Sequence, residues 1–161
     1  MNRLGENYLE IMITSLKKKI EVLDRIIAMN EKQERALKDP NLTPDEFESV
    51  VDEKAKCIED MELLDSGFES LYEKMRVELR ENKKAHEVEI IRMQELIRKI
   101  TDKTTKIQVM EKRNRDEAFK KFSQVRDQVK EIRTGHKVAT EYYRNMLKLN
   151  MVDAQFMDNK R

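Results

Sequence analysis

Few residues in this chain could carry chemistry, and their spacing argues against most of it. His86 and His136 are its two histidines. A carboxylate-bridged di-metal centre in a helical bundle needs a Glu three residues before each such His, so that both ligands project from one helix face. Lys83 and Arg133 stand at those positions. The sequence also has no HExxH, no phosphate-binding GxxxxGK[ST] loop, no GxGxxG and no GxSxG, so the spacings that hold zinc, nucleotides or an activated serine are missing. Cys57 is the single cysteine. It can form no disulfide within the chain and supports no cysteine metal cluster, and its place on an apolar helix stripe reads as a small buried hydrophobe. With charged residues at 40% of the chain, an arbitrary pair of carboxylates reads as solvated surface. The residues therefore predict no enzyme activity and no cofactor.

Lys54 is the one charged residue that breaks an otherwise apolar stripe. Two readings apply: its ammonium snorkels to water along its own stem, or it pairs with a carboxylate of a neighbouring helix.

The elements that carry these residues are helices. Three Gly, two Pro and no Trp among 161 residues, with 39% hydrophobic residues, favour long amphipathic helices over strands and tight turns. Leu9, Ile13, Leu16, Ile20, Leu23 and Ile27 alternate by four and three, the period of one helix face packed on a partner. Met12, Ile26 and Met29 widen the stripe. A first helix is expected from about residue 5 to Lys38.

Pro40 disfavours helix at Asp39, and Pro44 suits a first helical position. Thr43 and Glu46 have capping-box spacing, and Leu42 and Phe47 that of a hydrophobic staple, so a second helix is expected over 44–81. Its stripe runs Phe47, Val50, Lys54, Cys57 or Ile58, Met61, Leu64, Phe68, Leu71, Met75 and Leu79. In the RENKKAHE segment, Arg80 to Glu87, Ala85 is the only apolar residue, which places a reversal near 81–87.

A third helix is expected over 87–132, with Ile90, Met93, Ile97, Ile100, Ile107, Phe122, Val125, Val129 and Ile132 on its stripe and Thr104 and Asn114 as polar residues that fix register. Asp45–Glu73 holds 11 acidic and 2 basic residues, net −9, and Lys103–Lys137 holds 11 basic and 5 acidic, net +6. Antiparallel pairing of the second and third helices would set these blocks side by side. The expected fold is all-α: an elongated antiparallel three-helix bundle or coiled coil over residues 1–134, then a helical or partly disordered C-terminal binding tail over 135–161.

Gly135 reads as a helix stop. The tail beyond it carries Val138, Tyr142, Tyr143, Met146, Leu147, Met151 and Phe156. Met and Tyr give large contact area without demanding one geometry, as an adaptable partner-binding surface requires. A short fourth helix folded onto the bundle fits the same residues.

The net charge of +1 supplies no global attraction to phosphate or anionic lipid. The basic stretch Lys112–Lys137 has only Phe119 and Phe122 as interleaved aromatics, and the acidic second helix explains its charge without nucleic acid. Glu6 and Glu10 interrupt any N-terminal apolar run, and no stretch has the length of a membrane span. A cytoplasmic protein without membrane insertion is expected.

The chain also resembles the FlgN family of flagellar chaperones. Tyr8–Lys32 is similar to the family's opening helix, and Val51-Asp52-Glu53-Lys54-Ala55-Lys56 to its Lys-containing second-helix start. Tyr142-Tyr143-Arg144-Asn145-Met146, followed by Gln155-Phe156-Met157-Asp158-Asn159-Lys160, resembles the C-terminal ending of members from Gram-positive bacteria. The resemblance implies a chaperone that binds the helical C-terminal segments of hook-associated proteins at the hook–filament junction, keeps them unassembled and delivers them to the type III export apparatus. It implies that the C-terminal part is the binding element, with Val138, Tyr142, Tyr143, Met146 and Leu147 in contact. The competing expectation, from the near-heptad stripes, is a structural coiled-coil scaffold or export-apparatus component, possible as a homo-oligomer.

Overall fold

The computed structural model describes residues 3–124 and 134–148, and these are helical apart from short turns. Helix α1 spans Arg3–Ala36, α2 Pro44–Glu81 and α3 Glu87–Lys121. A further helix, α4, spans 134–148. The protein is all-α, with no strand among the described residues.

The start of α2 follows from its capping residues. Thr43 Oγ1 accepts from the Glu46 backbone N–H at 3.2 Å, and Glu46 Oε2 accepts from the Thr43 N–H at 3.5 Å, which satisfies two helix-end donors reciprocally. Leu42 and Phe47 pack in one cluster with Ala118 and Phe122. The Phe47 and Phe122 rings lie 6.2 Å apart at 58°. The end of α3 thus pins the turn between α1 and α2.

The second reversal is a single 3-10 turn over Lys83–His86. Its buried residue is His86 and not the apolar Ala85. Glu78 explains the bend: Oε1 accepts from Asn82 Nδ2 at 2.9 Å, and Oε2 lies 2.8 Å from His86 Nε2. These two hydrogen bonds hold the Glu78 carboxyl below its ordinary pKa.

Contacts at two levels set the helix directions. Lys19 pairs with Asp65 while Asn30 meets Lys54, so α1 and α2 run antiparallel. Asp24 meets Lys103 and Asn30 meets Glu111, so α1 and α3 run parallel. Leu9, Met12, Leu16, Leu23 and Ile26 of α1 lie in one core with Cys57, Ile58 and Met61 of α2 and Met93, Ile97, Ile100 and Ile107 of α3. Tyr143 and Met146 of α4 belong to the same core.

Three features differ from the sequence expectation. Helix α3 ends at Lys121, with the Phe122 N–H donating to the Ala118 carbonyl, short of residue 132. Val125, Val129 and Ile132 lie outside the described residues. Gly135 does not stop a helix but lies within the helical residues 134–148 of α4. A Cβ there would come within 3.0 Å of Val51 Cγ1, so its missing side chain serves a close approach of α4 to α2. Finally, an ion pair joining α2 to α3 runs against the block charges: the cation, Lys54, comes from the acidic block and the anion, Glu111, from the basic one.

Candidate functional site

The heptad positions of all three long helices turn polar at one level. In α1, Leu16 and Leu23 are followed at seven-residue steps by Asn30, and Ile26 by Gln33. In α2, Lys54 precedes Met61; in α3, Ile107 is followed by Asn114 and Thr104 by Glu111. The same period that buries the apolar residues therefore carries this set inside.

Lys54 sits at its centre, 4% exposed. Its three N–H donors meet three acceptors: Asn30 Oδ1 at 3.0 Å, Gln33 Oε1 at 2.7 Å and Glu111 Oε2 at 2.7 Å. An ammonium has three donors and no acceptor, so this cage satisfies it fully. Burial pulls the Lys54 pKa below its usual range, against the opposing pull of Glu111. Asn30 Nδ2 also donates to Glu111 Oε1 at 3.3 Å, and Asn114 Nδ2 donates to the Asn30 carbonyl at 3.0 Å. Of the two readings of Lys54, pairing with a neighbouring helix is the one observed. Asn114 bridges helices as a register-fixing residue should, whereas Thr104 donates back to Ile100 of its own helix.

Helix α4 joins this layer through His136, whose Nε2 lies 3.4 Å from Glu111 Oε2. Burial lowers the His136 pKa, Lys54 and Arg115 lower it further, and Glu111 opposes them. The imidazole therefore protonates less readily in the fold than when unfolded. Stability from this site is fully present above the unfolded pKa of about 6.5 and is lost as pH falls below it toward the lower folded value. Melting temperature should therefore fall between pH 7.5 and 5.5 more steeply in the wild type than in His136→Gln, as followed by circular dichroism. Parallel slopes in the two proteins would remove His136 from the pH response.

Further along α4, Tyr142 Oη donates to Asp65 Oδ2 at 2.9 Å, and the other oxygen of Asp65 accepts from Lys19. Burial first, then the Asp65 carboxylate, push the Tyr142 hydroxyl pKa well up; burial lowers that of Lys19. The Tyr142 and Tyr143 rings meet edge to face at 5.6 Å. Tyr143 is 1% exposed and its hydroxyl has no hydrogen-bond partner among the described residues.

The tail residues singled out from the sequence thus divide. Tyr143 and Met146 are buried, Tyr142 and Leu147 are half-buried, and Val138 is 61% exposed. Val138 and Leu147 sit on opposite edges of α4, because their spacing is two and a half turns at about 3.6 residues per turn. Met151 and Phe156 lie outside the described residues. Sequence reading missed Asn30, Gln33 and Glu111 as partners of Lys54. Their signal was the seven-residue step from buried apolar positions, which a search for apolar residues passes over.

Among the described residues, no group of three or more His, Cys, Asp or Glu is placed to hold a metal ion, and no helix is long and apolar enough to cross a membrane. A family model described as FlgN protein matches residues 1–146, which takes in α1, α2, α3 and all but the last two of the described residues of α4. No curated protein and no solved structure matches the chain.

Proposed function

The chain belongs to the FlgN family of flagellar export chaperones, and from that premise we propose that it captures the helical C-terminal segments of hook-associated, hook–filament junction proteins in the cytoplasm. Capture keeps those segments from assembling early and delivers them to the type III export apparatus; the protein is a binder and not an enzyme. The three long helices act as an elongated antiparallel bundle, and the C-terminal part is the binding element. One observation carries this reading: α4 is held on the bundle by Tyr143 and Met146 while Val138, beside the half-buried Tyr142, is left in solvent. An amphipathic helix laid along that edge would cover apolar surface that α4 leaves open, which is helix-in-groove recognition. Tyr143 and Met146 anchor the platform, Val138 and Tyr142 form the contact edge, and Met151 and Phe156 are further contact candidates; Leu147, on the opposite edge of α4, is left out of this contact.

Val138 can be changed without disturbing the core. Val138→Glu should weaken binding of a purified hook-associated C-terminal segment by roughly tenfold, the loss of about 1.4 kcal/mol at a contact residue, with circular dichroism unchanged. Titration calorimetry reads the affinity. Equal affinities would take this edge of α4 out of the mechanism.

A further inference from the structure

The apolar stripe of α2 is continuous in sequence but not in coverage. Cys57, Ile58 and Met61 are buried before its middle and Tyr72, Met75 and Leu79 after it. Between them Leu64, Phe68 and Leu71 are only half-buried. A groove of about 260 Å³ lies at this level, with Leu64, Phe68 and Ile97 among its walls and Tyr142 and Met146 of α4 at its border. The gap in coverage therefore lies beside the contact edge of α4.

Apart from Lys19, which is paired with Asp65, the charge lining the groove is acidic. Asp65, Glu69 and Glu73 line it and follow one another at four-residue steps along α2, a spacing of about 6 Å at 1.5 Å per residue. Asp65 is committed to Lys19 and Tyr142. Glu69 and Glu73 are exposed. Glu69 has no ion pair among the described residues, and Glu73 has Arg76 of its own helix at 3.8 Å. They belong to the Asp45–Glu73 block of net charge −9. A second helix lying alongside α2 would present its own side chains at the same four-residue repeat, so lysines or arginines spaced i, i+4 beside an apolar stripe match the groove in both chemistry and period.

We propose that this groove is a docking site for a basic-edged amphipathic helix of a partner protein, whose apolar side chains enter over Leu64 and Phe68 while its Lys or Arg residues face Glu69 and Glu73. The proposal rests on the chaperone reading and adds to it the chemistry of the segment captured: apolar on one face and positively charged along one flank.

The test uses the full chain and an 18-residue model helix with a leucine stripe flanked by lysines at i, i+4, against the same stripe flanked by glutamates. Fluorescence anisotropy should show the lysine peptide binding, the glutamate peptide at least about tenfold weaker, and the lysine affinity falling with added salt. Glu69→Lys with Glu73→Lys changes only exposed side chains and should lower the lysine-peptide affinity by about tenfold or more, the combined effect of two reversed exposed charges. Equal binding of both peptides, or no loss in the double variant, overturns the proposal. Binding that appears only after deletion of residues 149–161 overturns it in favour of this chain's own segment as occupant. A dimer that the double variant dissociates in sedimentation overturns it in favour of a second copy. A hook-associated C-terminal segment is measured in parallel: if it binds the wild type and the double variant equally, the groove fails and the chaperone reading stands, whereas no binding to either sinks the reading beneath it.

Discussion

Lys54→Met should destabilise the protein by about 3–5 kcal/mol, the cost of breaking a buried ion pair from one side. The substitution leaves the Glu111 carboxylate, itself 5% exposed, without its paired ammonium, strips Gln33 Oε1 of its donor and leaves Asn30 Oδ1 only the longer 3.4 Å bond from Asn114 Nδ2. Urea unfolding followed by circular dichroism measures the loss. The companion variant separates the pair from its burial: Lys54→Met with Glu111→Leu removes both charges at similar volume and should recover most of the deficit, since hydrophobic replacement of buried pairs is often neutral or stabilising. A single variant within about 0.5 kcal/mol of wild type, the range of ordinary surface substitutions, would mean that Lys54 reaches water and that the cage does not hold it. If the double variant folds but samples more than one helix register, the pair contributes specificity and not stability, as polar residues at core heptad positions can.

Tyr143 gives the second large effect, and here the ring and the hydroxyl oppose each other. Tyr143→Ala should cost about 3–5 kcal/mol, the range for removing a buried aromatic ring, because it empties the anchor of α4 in the core. Tyr143→Phe should be neutral or stabilising. Its hydroxyl is buried without a partner among the described residues, and burying such a group costs about 1–3 kcal/mol. Thermal unfolding of the two variants reads both signs. A loss in Tyr143→Phe comparable to that in Tyr143→Ala would show that the hydroxyl is satisfied in solution.

Much of the fold was legible because it rests on local rules. Pro44, Thr43 and Glu46 place the start of α2 at the residue observed, since capping needs only neighbours in the chain. The reversal after Glu81 was legible as a gap in apolar residues, although what fills it is His86 held by Glu78. The partner of Lys54 was not legible. Periodicity says which residues face inward, but it cannot choose Glu111 from 32 acidic residues without the relative height of two helices. The end of α3 was missed for a related reason: Lys103–Lys137 has no proline, and Phe122 belongs to a cluster with α2 that no pattern within α3 announces. For the tail, Met and Tyr suit a core and a binding edge equally, so composition could not separate Tyr143 from Val138. Only the seat of α4 against the other helices does so, by burying one and leaving the other in water.

The polar level has a mechanical consequence. On each long helix it falls between two apolar groups: Ile27 and, in the turn just past the helix end, Leu37 for α1, Cys57 and Val51 on α2, Met110 and Ala118 on α3. The molecule is thereby partitioned into a large dry compartment and a small one around Phe47 and Phe122, with a hydrophilic bulkhead between them. Fraying that begins at the small end meets, at Lys54, a barrier whose cost is electrostatic, so that end can breathe as its own cooperative unit while the greater part of the interior stays sealed.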